Sequence, residues 1–146
     1  MPFGSPPVGE IDIIIATGIT EAPFTEWTFQ GRQIRIETSD EIMAKRCCFR
    51  AGSFKTRDIF DLAAVLHADP TTLSRLKPRI GDQWDTLRDR IDRMAPTYPE
   101  IVAQDVNPTE HGRQFLTRAS MNTVLGAIRS AEKSGPSPEG NRGRIQ

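Results

Sequence analysis

An excess charge of one sign, a disulfide framework and a long apolar run are all missing from this chain. Its 19 Lys and Arg are matched by 19 Asp and Glu, so no global field argues for nucleic acid or an anionic membrane as partner. No stretch approaches the ~20 apolar residues a membrane-spanning helix needs. Cysteine is limited to Cys47 and Cys48, and neighbouring cysteines fit neither disulfide geometry nor a framework. The two histidines, His67 and His111, offer them no metal-ligand spacing. The opening Met1-Pro2-Phe3-Gly4-Ser5-Pro6-Pro7 has neither the basic start nor the apolar core of a secretory signal. These absences lead to the expectation of a cytoplasmic protein whose cysteines pack a helix.

What remains is enough for one core: 146 residues, 37% of them hydrophobic. The charges are unevenly placed. Up to residue 40 the acids Glu10, Asp12, Glu21, Glu26, Glu37 and Asp40 face only Arg32 and Arg35, and then Lys45, Arg46, Arg50, Lys55 and Arg57 follow before Asp58. An acidic strand region beside a basic helical one suits a metal-phosphate ligand, or two halves that attract each other.

The pattern predicts an α+β chain with a short three-stranded sheet over residues 1–38, a helical region over 39–133 and a disordered tail over 134–146. Ile11-Asp12-Ile13-Ile14-Ile15 reads as a buried strand. Residues 26–37 read as a hairpin turning at Gln30-Gly31, with Trp27 and Phe29 on one arm and Ile34 and Ile36 on the other. Thr38-Ser39-Asp40-Glu41 matches a capping box for a helix that runs to about Arg50 and stops at Gly52. A second helix is expected from Thr56 to His67, with Ile59, Leu62, Ala63 and Leu66 inward, broken at Asp69-Pro70. A short helix over Thr71–Leu76 and a longer one over 82–94 follow. Residues 98–108 read as partly irregular, and 110–132 as one last helix. Trp27 and Trp84 are expected in the core, and His67 and His111 at the surface or at helix ends.

Asp12 stands in an apolar strand, where an unpaired carboxylate costs at least several kcal/mol. It is therefore either a metal ligand or a solvent-facing residue of an edge strand. Lys45 follows Glu41 by one turn, which suits an i,i+4 pair or a phosphate contact. Asp58 and Asp61 project from one side at the start of a helix, where Asp58 also suits the helix dipole and Asp61 can pair with Arg57.

The run Glu41-Ile42-Met43-Ala44-Lys45-Arg46, then Arg50, then Arg57-Asp58-Ile59-Phe60-Asp61-Leu62-Ala63 resembles the C-terminal motifs of the AbiEii/AbiGii-type nucleotidyltransferase toxins. The resemblance covers about residues 9–68. It implies a nucleotidyltransferase-like fold in which Asp12, Lys45, Asp58 and Asp61 line one catalytic site. Lys45, Arg50 and Arg57 would hold a nucleoside triphosphate there, and Asp12 and Asp58 a Mg²⁺ ion. It also implies transfer of a nucleoside monophosphate to an RNA acceptor, within a toxin–antitoxin or abortive-infection system that supplies a cognate antitoxin. The family opens on a Gly-Ser step followed by acids, whereas Gly4-Ser5 precedes Pro6-Pro7-Val8-Gly9. The expectation is thus a truncated or degenerate member.

A second reading takes residues 57–77 as a helix-turn-helix, with Thr71, Thr72, Ser74, Arg75 and Lys77 facing DNA. It leaves Asp12, Lys45 and Asp58 without a role. A third is a non-catalytic helical interaction module.

Overall fold

Turn chemistry sets the first element. Gln30 and Gly31 both adopt positive φ, 50° and 77°, as the tight turn between twisted antiparallel strands requires. The turn joins β1 (Phe24–Phe29) to β2 (Arg32–Glu37), in a register that places Trp27 opposite Ile34 and Phe24 opposite Glu37. The structure is a computed structural model that describes residues 18–134. Among these residues the sheet has two strands, not three; the third expected strand, residues 11–15 with Asp12, lies outside them.

The rest is helical: α1 (Ser39–Phe49), α2 (Thr56–Ala68), α3 (Thr72–Ile80), α4 (Trp84–Met94), α5 (Tyr98–Asp105) and α6 (Arg118–Lys133). The fold is α+β. Thr38 caps α1 as expected, its hydroxyl accepting the Glu41 N–H at 3.2 Å. The left-handed stop expected at Gly52 is found instead at Gly81 (φ 55°), whose N–H closes α3 on the Lys77 carbonyl. Residues 51–53 form a 3₁₀ turn between α1 and α2.

One expectation failed at a proline. The helix begun at Thr72 continues through Pro78 to Ile80 instead of ending at Leu76. Its interior proline removes one backbone donor, but Leu73, Leu76 and Ile80 are buried along one face and hold the helix in place. Residues 98–108 are partly irregular as expected: 98–105 form α5, with Pro99 in the first turn where no N–H is needed, and 106–108 belong to no element. The last helix is also shorter than expected: His111–Phe115 is a 3₁₀ turn, and α6 starts at Arg118 with Thr117 as its cap.

The core lies between the helices. Ile59, Leu62 and Leu66 of α2 and Leu73 and Leu76 of α3 meet Met121, Val124 and Ile128 of α6, and Met43 and Cys47 bring α1 into the same cluster. Trp84 is buried at 5% exposure and donates its ring N–H to Glu132. Trp27 is not a core residue: it is 61% exposed and Phe29 60%, because the hairpin stands off the helical body.

Candidate functional site

The described candidate residues lie on α1, its C-terminal end and α2, and two faces of α1 carry different networks. On the first, Lys45 is paired with Glu37, the last residue of β2, and lies 3.7 Å from Glu41. Glu41 is fully buried. Its carboxylate accepts the Ile19 N–H at 2.9 Å, the Thr20 N–H at 2.8 Å and the Thr20 hydroxyl at 2.9 Å. Burial pushes the Glu41 carboxyl up, but these donors together with the Lys45 charge outweigh it and hold the group below its ordinary range. The hydrogen bond to Glu37 raises the Lys45 ammonium, working against desolvation.

On the second face, Asp58 is 3% exposed and has both oxygens engaged. One meets the guanidiniums of Arg50 and, at 3.6 Å, Arg46; the other accepts the Lys55 N–H at 2.8 Å. Asp58 therefore does cap α2, reaching back three residues to a backbone donor that the helix leaves unpaired. Asp61 pairs with Arg46 and not with Arg57. Arg57 instead donates to the Asp105 carbonyl at 3.1 Å, reaching the end of α5. A cleft of about 270 Å³ opens there, lined by Arg57, Phe60, Asp61 and Asp105.

Lys45 and the acidic pair Asp58 and Asp61 are thus not joined directly. Adjacent positions on a helix point about 100° apart, so Lys45 turns toward β2 while Arg46 turns toward α2. Arg50, one turn beyond Arg46, stands on the same side as it. Sequence reasoning missed Glu37, the pairing of Arg46 with the acids of α2, and the bonds of Glu41 to Ile19 and Thr20. The i,i+4 spacing of Arg46 and Arg50 was the available signal for a cationic stripe facing the acids of α2. The solvated Glu41–Lys45 pair expected from that same spacing is in fact half buried.

Among the described residues no three His, Cys, Asp or Glu side chains gather into a metal-holding group. Asp58 offers no vacant oxygen, since a cation there would meet two guanidiniums already in place. Asp12 lies outside the described residues. The cysteines are both free, and burial pushes Cys47 up to about 12.

The helix-turn-helix reading finds two helices with a short connection. Only residues 69–71 separate α2 from α3. Its contact residues, however, are used internally. Arg75 is bound to Asp40 at 2.7 Å and Asp69 at 2.5 Å, Thr72 is buried on the Asp69 carbonyl, and Lys77 lies 5.5 Å from the centre of the Trp84 ring. A cleft of about 550 Å³ beside α3 has Glu21 and Asp40 in its wall as well as Arg75 and Arg79, an arrangement poorly suited to a phosphate backbone.

No described helix is long and apolar enough to cross a membrane. Comparison with protein-family models, with curated proteins and with solved structures finds no match.

Proposed function

We propose that this chain carries the C-terminal wall of a nucleotidyltransferase-like protein of the toxin–antitoxin or abortive-infection type, binding a nucleoside triphosphate as its Mg²⁺ complex for transfer of the nucleoside monophosphate to RNA. The observation that supports the reading is the meeting of the two motif runs. Residues 41–50 and 57–63 meet where Arg46 and Arg50 reach Asp58 and Asp61, while Lys45 turns away from them to Glu37 of β2.

In this reading Lys45 contacts the phosphates. Arg50, whose side chain is 41% exposed beside Asp58, can extend the cationic surface. Asp58 and Asp61 act through Arg46 and Arg50, bracing α1 against α2 so that Lys45 is held in place. A charged brace around one buried carboxylate adds little net stability relative to an apolar contact, and a role in orienting α1 gives it a purpose. Magnesium enters with the triphosphate it neutralises, as part of the substrate. The fold assignment, the antitoxin partner and a contribution from Asp12 belong to the same proposal.

The test is binding of CTP and GTP with Mg²⁺, followed by transfer of label from the α-phosphate to RNA. Binding with transfer fits an active member, and binding without transfer a degenerate one. Absence of both overturns the reading. The helix-turn-helix alternative requires a salt-dependent shift of duplex DNA, which Glu21 and Asp40 beside Arg75 and Arg79 disfavour.

A further inference from the structure

We propose that Glu37 is a built-in competitor at this site, occupying the Lys45 ammonium where a phosphate would bind, so that a nucleotide enters by displacing the Glu37 side chain. The inference rests on the nucleotide reading above and adds a regulatory contact to it.

The two carboxylates at Lys45 differ in what they can give up. Glu41 is fully buried and holds the donors of Ile19 and Thr20. Moving it would strand those donors away from water. Glu37 is 33% exposed at the end of β2, and among the described residues Lys45 is its one hydrogen-bond partner. Water can replace that partner, because exposed pairs contribute little.

Lys45 is itself 23% exposed, so its ammonium can be reached from solvent. A triphosphate carries several acceptor oxygens and more charge than one carboxylate, and so can compete with it for the same donor. Glu41 stays in place throughout, keeping the lysine fixed after Glu37 has left. One lysine thus has a permanent counter-ion and an exchangeable one.

The test is calorimetric titration of the full chain with Mg²⁺-CTP and, separately, with tripolyphosphate alone. Glu37→Gln keeps the side-chain shape and removes the charge. It is expected to bind both probes about three- to fivefold tighter than wild type. Glu37→Thr, suited to a strand, should show the same gain, and Lys45→Ala should bind neither probe. Binding by Glu37→Gln where wild type shows none also supports the proposal. Unchanged or weaker affinity in both Glu37 variants, with Lys45→Ala still abolishing binding, overturns the competitor role and leaves the nucleotide reading standing. No binding by wild type or by either Glu37 variant overturns both.

Discussion

The carboxylate of Glu41 and residue Thr20 are joined by two hydrogen bonds, from the backbone N–H at 2.8 Å and from the hydroxyl at 2.9 Å. They fasten the segment before the hairpin to the first helix. Removing the acid leaves the donors of Ile19 and Thr20 without their partner and opens a cavity. Glu41→Ala is therefore expected to cost about 3 kcal/mol or more, read as a lower urea midpoint.

The same group makes stability depend on pH. Its folded-state pKa lies below its ordinary value of 4.5. The ionised carboxylate thus contributes fully above that value, and the contribution is lost as the pH falls through the lower folded value. The urea midpoint should fall on acidification below 4.5, and Glu41→Gln should flatten that part of the profile. An identical acid limb in both proteins would show that other carboxylates control it.

Asp58 and Asp61 should separate in size of effect. Asp58 is buried between Arg46, Arg50 and the Lys55 N–H, so Asp58→Ala leaves Arg50 without a counter-ion and the Lys55 N–H without its acceptor, and costs about 2–3 kcal/mol. The Asp61 side chain is 43% exposed, and Asp61→Ala should cost no more than about 1 kcal/mol. Chemical denaturation of the two variants compares them directly.

The two tryptophans should report opposite environments. Acrylamide is expected to quench Trp27 readily in Trp84→Phe, and Trp84 poorly in Trp27→Phe, following their 61% and 5% exposure. Trp27→Ala should change stability by no more than about 0.5 kcal/mol, whereas Trp84→Ala should lose about 3–5 kcal/mol. Strong protection of Trp27 would mean that the exposed hairpin face is covered in solution.

Cys47 should react with a thiol reagent only on unfolding, since it is buried and its thiol is pushed up to about 12. Cys48 is partly exposed, and burial raises its thiol less. It should react first, and more slowly than a free thiol. Mass spectrometry after brief labelling at neutral pH distinguishes the two.

Local chemistry was legible in the sequence, and long-range pairing was not. The Gln30-Gly31 turn, the Thr38 cap and the apolar stripe of α2 each depend on residues a few positions apart, and each appears where expected. Trp27 misled because strand alternation shows which residues share a face, not whether that face is covered. Arg57 stood closer in sequence to Asp61 than Arg46 did, yet α1 packing beside α2 gave Asp61 to Arg46. Glu41 looked like half of a capping box, and its actual partners lie 21 and 22 residues earlier.

The most direct measurement of the central claim is calorimetric titration of wild type and Lys45→Ala with Mg²⁺-CTP and Mg²⁺-GTP. The predicted result is saturable binding of at least one nucleotide by wild type and its loss in the variant, with the variant's fold intact by circular dichroism. Binding of equal affinity in both proteins, or binding in neither, would contradict the assignment of α1 and α2 as the wall of a nucleotide site.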